Sequence, residues 1–100
     1  MTTFKPLEIA DIEIITQMMQ DFYAIDNYPM DIEVAKTLFQ EFITHEHLGK
    51  SWLIYSENEI VGYIILTFIF SFEYGGKIAF VDELFIKETA RGKGFGKEAI

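Results

Sequence analysis

The residues with the clearest chemical potential lie in the last third of the chain. Asp82 and Glu83 are adjacent carboxylates inside an otherwise apolar run, Val81 to Ile86. A carboxylate beside an amine can take the proton that a lysine-like amine, with a pKa of about 10.4, must lose before it acts as a nucleophile. The same pair read structurally is a solvated strand edge or a partner for a lysine. A few residues on stands Arg91-Gly92-Lys93-Gly94-Phe95-Gly96-Lys97, with three alternating glycines and three cations. Glycines let an anion approach the backbone, and the N–H groups opening a helix bind phosphate. The plainer reading is a Gly-rich turn with solvated lysines.

Two familiar phosphate loops are excluded. A P-loop would need glycine where Arg91 stands and Ser or Thr where Glu98 follows Lys97. Gly94, Gly96 and Ala99 nominally meet a dinucleotide fingerprint, but the loop after Ile86 is too long for its tight turn and no βαβ unit follows. Other chemistries fall to composition. There is no Cys, hence no thiol nucleophile, disulfide or thiolate metal site, and two His cannot form a three-His centre. His45 and His47 are expected at a solvated helix end, and no metal is expected. Net charge is −8, yet residues 87–100 carry a net +2. The acidic bulk argues against nucleic acid or an anionic membrane as partner, while the basic end invites an anion.

The elements around these residues follow from periodicity. With 100 residues, 50% apolar, 24% charged and 16% aromatic, the chain is expected to form a single domain (1–100) rather than a disordered segment. Phe4 to Ile9 is a short strand in which Pro6 requires an edge or bulge. Asp11 is expected to cap a helix to about Ile25, with Ile12, Ile15, Met19 and Phe22 inward. Asp26 to Pro29 breaks it. Asp31 starts a second helix with Val34, Leu38, Phe39 and Phe42 inward, ending near His45 to Gly49. Ser51 to Ser56, Ile60 to Phe72 and Ile78 to Ile86 then read as three antiparallel strands, with turns at Glu57 to Glu59 and Tyr74 to Lys77. The 13-residue run Ile60 to Phe72 is too short for a membrane helix and reads as buried core. Met1 to Asp11 has no apolar signal region, so a cytoplasmic location is expected. A last helix opens at Gly92 or Lys93 with barely two turns left, so the chain is expected to stop inside an element of a longer domain. The fold class is α+β (mixed α/β).

Arg91-x-x-Gly94-x-Gly96, placed after the strand Val81 to Ile86 and after two helices and a three-strand meander, resembles the GNAT superfamily of acyl-CoA-dependent N-acyltransferases. Their pyrophosphate loop reads Gln/Arg-x-x-Gly-x-Gly/Ala. Phe80 to Gly96 is especially similar to diamine and polyamine acetyltransferases, and Ile60 to Ile64 looks like the family's second meander strand. The resemblance covers the N-terminal two-thirds of the family's domain.

It implies acetyl-CoA as co-substrate, with no metal. Pantetheine would pair with the backbone of Leu84, Phe85 and Ile86, and the pyrophosphate would rest on Arg91, Gly92, Lys93, Gly94, Phe95, Gly96 and Lys97. A strand-end N–H near Leu84 to Ile86 would polarise the thioester carbonyl. Asp82 or Glu83 would assist amine deprotonation. Strict alternation lets at most one of them face a given site, and Glu83 is favoured because Asp82 would share its face with Phe80, Leu84 and Ile86; a bulge would reverse this. Tyr23 and Tyr28, with Asp21 and Asp26, stand at the helix break whose loop borders the family's acceptor site, and are read either as acceptor contacts or as surface loop. The Tyr that protonates the leaving thiolate in many members would lie past Ile100. The implied activity is N-acetyl transfer to a primary amine: a polyamine, an aminoglycoside, or a peptide or lysine amine. The partner is that small-molecule or peptide acceptor, and a homodimer is left open. The alternative is a GNAT-fold domain that binds CoA or regulates without turnover.

Overall fold

The computed structural model describes residues 2–90. Their order is β1 (Thr2–Pro6), a 3-10 turn (Ile9–Asp11), α1 (Ile12–Ile25), α2 (Ile32–Thr44), β2 (Gly49–Ser56), β3 (Glu59–Ser71), β4 (Gly76–Ile86) and a second 3-10 turn (Glu88–Ala90). This is the expected mixed α+β arrangement. The helix expected after Gly92 lies outside the described residues.

The four strands form one antiparallel sheet in the order β1-β2-β3-β4. Pro6 sits on the terminal strand β1, where its missing N–H costs least. That strand runs from Thr2 to Pro6, earlier than its apolar pattern suggests. Asp31 starts α2 as expected: its Oδ1 accepts from the N–H groups of Glu33 (3.0 Å) and Val34 (3.2 Å). Asp11 does not cap α1 through its side chain. Its Oδ2 accepts instead from the Glu8 N–H at 3.0 Å and from Lys5 Nζ at 2.6 Å, which ties the 3-10 turn to β1. Between β2 and β3, Glu57 and Asn58 both take the left-handed region, with φ of 52° and 66°. That is the two-residue turn whose twist matches a hairpin.

Both helices cover one face of the sheet. Ile15, Met18 and Met19 of α1 and Phe39 of α2 pack against Leu53, Tyr63, Ile65 and Phe85. On the opposite face Ile54, Val61, Leu84 and Ile86 meet Ala90. Two sequence expectations fail here. Val34 and Leu38 are exposed, while α2 buries Phe39, as expected, and Ala35. The apolar run of β3 is core only from Val61 to Ile65, and beyond it Ile69, Phe70 and Phe72 are exposed. The β3–β4 hairpin extends past the edge of the helical layer, so nothing among the described residues covers its tip. No described helix is long and apolar enough to cross a membrane.

Gly49 and Gly62 are both required by packing. Gly62 pairs with Ile86, and a Cβ at Gly62 would stand 2.0 Å from the Phe85 carbonyl oxygen. Gly62→Ala must push β3 away from β4 and is expected to destabilise the fold by about 1–3 kcal/mol. Urea denaturation checks this: the midpoint falls with the slope unchanged, and an unchanged midpoint contradicts the close approach.

Candidate functional site

The third and fourth strands fall out of step by one residue. Ile65 pairs with Glu83 and Leu66 with Val81, leaving Asp82 as the extra residue of a β-bulge. The bulge breaks the alternation on which the sequence expectation stood. Asp82 does not follow the face of Leu84 and Ile86. Asp82 and Glu83 both line one cleft of about 270 Å3 between α2 and the β3–β4 pair, whose walls include Met19, Leu38, Phe39 and Ile65. The expectation that at most one of the two acids can face a given site is thus corrected. Asp82 is exposed and Glu83 half-buried.

Two phenols hold the Glu83 carboxylate. Tyr23 Oη, from the last turns of α1, donates to Oε2 at 2.5 Å. Tyr63 Oη, from β3, donates to Oε1 at 2.8 Å. Tyr63 is fully buried, with its ring against Phe85 at 5.7 Å between centroids. Burial, and then the adjacent Glu83, push both phenols above the usual tyrosine range. Each therefore stays protonated and remains a donor at neutral pH. None of the lysine–carboxylate pairs among the described residues, Lys5–Asp11, Lys5–Glu8 and Lys36–Glu13, involves Glu83. Each carboxylate oxygen keeps a second lone pair after accepting one phenol, so the group can still accept from a third donor.

Tyr63 escaped sequence reasoning. Its signal was a Tyr in an apolar strand, whose buried hydroxyl must find a partner; which partner depends on the bulge. Tyr23 joins Glu83 directly. Tyr28 does not touch it in this way, but lines a second cleft of about 410 Å3 with Phe22, Asp26 and Glu83. The Tyr23–Glu83 pair thus separates two clefts. Asp21 lines neither of them. His45 and His47 are exposed at the end of α2, and no group of His, Asp or Glu among the described residues is arranged to hold a metal.

Leu84 and Ile86 pack on the sheet face away from the helices, and Phe85 packs on the helical face against Phe22 and Tyr63. Their strand is the terminal one of the described sheet. An extended chain bearing amides can align along a terminal strand, and pairing of pantetheine with Leu84 to Ile86 is what the family resemblance implies for this one. The chain then turns through Glu88–Ala90, with Ala90 anchored on Ile54 and Val61, and leads to Arg91. Arg91, Gly92, Lys93, Gly94, Phe95, Gly96 and Lys97 lie outside the described residues.

The comparisons with known proteins concern this same arrangement. Residues 13–100 match the model of the Acetyltransferase (GNAT) family. Among solved structures the chain is similar to an integron cassette protein, HFX_CASS3, from the mobile metagenome of Cole Harbour Salt Marsh. That protein is 38% identical, with a TM-score of 0.88 over 93% of this chain and 61% of the other. A "possible acetyltransferase" from Clostridium difficile 630 shares the fold at 15% identity and a TM-score of 0.86, over 98% of this chain and 65% of its own. So does a "predicted acetyltransferase with acetyl-CoA" from Clostridium acetobutylicum, at 17% identity and a TM-score of 0.77, over 99% of this chain and 68% of its own. The chain spans roughly three fifths to two thirds of the length of these structures. No curated protein matches the sequence.

Proposed function

Since this chain belongs to the GNAT acetyltransferase family, we propose that it takes part in moving an acetyl group from acetyl-CoA to the nitrogen of a primary amine. The observation that carries this reading is the Glu83 carboxylate, held by two phenols and lining a cleft, on the strand that leads in sequence to the Arg91 to Gly96 loop.

When bound, acetyl-CoA supplies a thioester whose acyl carbon accepts the amine nitrogen. The chain's own residues prepare the other reactant. An amine arrives as an ammonium ion at neutral pH and cannot attack until it loses a proton. Glu83 is the acceptor of that proton, directly or through one water. Tyr23 and Tyr63 fix both carboxylate oxygens, so the third hydrogen bond is offered in a defined direction. The exposed Asp82 adds negative charge to the same cleft and draws the cation in. Leu84, Phe85 and Ile86 offer the strand backbone for the pantetheine arm. Arg91, Lys93 and Lys97, with the glycines between them, offer the charge and close approach that a pyrophosphate needs.

Binding is tested by thermal or denaturant unfolding with acetyl-CoA present. At 100 times its dissociation constant, acetyl-CoA is expected to add about 2.7 kcal/mol of stability. A folded sample whose unfolding does not respond to saturating acetyl-CoA or CoA overturns the reading.

A further inference from the structure

Asp82 and Glu83 are the only charged residues among the described lining of their cleft, and Tyr23 and Thr67 add two hydroxyls. Its apolar walls are Met19 from α1, Ala35, Leu38, Phe39 and Phe42 from α2, and Ile65 from β3, and no Lys or Arg lines it among the described residues. Leu38 is 59% exposed although it was expected to face the core. It presents an apolar side chain, unburied in the described protein, to the same cleft as the two carboxylates. At about 270 Å3 the space exceeds the roughly 150 Å3 that takes a benzene ring, so a ring with a short side chain fits.

Resting on the acetyl-transfer reading, we propose that the acceptor is a monoamine with an apolar body, such as an arylalkylamine, its ammonium at Asp82 and Glu83 and its ring or alkyl part along α2. The charge sits where the cleft is anionic, and the body covers Leu38, Phe39 and Phe42 and removes their apolar surface from water. A polyamine fits the same space less well, because a second ammonium placed along α2 would meet apolar side chains and, beyond Asp82 and Glu83, only the neutral hydroxyls of Thr67 and Tyr23 among the described lining. The overall acidity of the chain, which by itself favours any cation, does not make this distinction.

The test uses the full-length chain with acetyl-CoA and compares kcat/KM for 2-phenylethylamine, spermidine and a lysine-containing peptide. Phenylethylamine is expected to lead by about 10-fold or more. Leu38→Gln, at an exposed helical position that tolerates it, is expected to raise KM for phenylethylamine about 10-fold and leave KM for acetyl-CoA as it was, while Leu38→Met keeps both. Spermidine or the peptide equalling phenylethylamine, or a Leu38→Gln variant with unchanged discrimination, overturns the proposal and leaves acetyl transfer standing. Absence of turnover with all three amines overturns the acetyl-transfer reading itself, and this proposal with it.

Discussion

Glu83→Gln is expected to lower amine acetylation at neutral pH by about 10²–10⁴-fold, the range for loss of a positioned general base. The amide has nearly the shape of the carboxylate, so the fold should survive. Its oxygen can still accept one of the two phenols, and its NH2 group meets the other. What it cannot do is take a proton from an ammonium ion. The deficit should shrink as pH approaches the amine's own pKa of about 10.4, because the fraction of neutral amine then rises without help. Asp82→Asn should cost much less and act mainly on KM, since Asp82 is exposed and lies at the bulge rather than between the two phenols. Rates measured from pH 6 to 10 on both variants check this. Near-normal rates for Glu83→Gln across that range remove the carboxylate from proton transfer.

Gly94→Asp is expected to abolish acetyl-CoA binding. The substitution puts a side chain where the backbone must approach a pyrophosphate, and it puts a negative charge against the phosphates. The unfolding midpoint of the variant, measured alongside, checks that it is folded. Calorimetric titration of acetyl-CoA into the variant should show no binding at concentrations that saturate the parent protein. Parent-like affinity would reduce the three glycines to an ordinary turn.

The order of elements was legible because the apolar period changes at Ser51, from helical spacing to alternation, and because Asp31 and Glu57-Asn58 carry their own capping and turn chemistry. The direction in which helix residues point was less so. Val34 and Leu38 have the right spacing for burial, but the sequence does not say how far the sheet beneath α2 extends, and it leaves both side chains exposed. The same holds for Phe70 and Phe72, which continue an apolar strand past the layer that could cover it.

The site was half legible. Two acids in an apolar strand marked it, but alternation separated them, and only the one-residue slip between Ile65 and Leu66 brings both to one cleft. A bulge leaves almost no trace in composition. The partners of Glu83 come from positions 60 and 20 residues away in sequence, Tyr23 and Tyr63. Such a pairing is fixed by register and by the crossing of α1 over the sheet, neither of which local spacing encodes.

The most direct measurement of the central claim is the rate of thiol release from acetyl-CoA by the full-length chain as 2-phenylethylamine, spermidine or a lysine-containing peptide is varied in turn, with the acetylated amine quantified in the same samples. The account predicts saturable, amine-dependent release, with one acetylated amine formed for each thiol. Tight binding of acetyl-CoA without amine-dependent release would contradict it, and would make this chain a CoA-binding domain rather than part of an acetyltransferase.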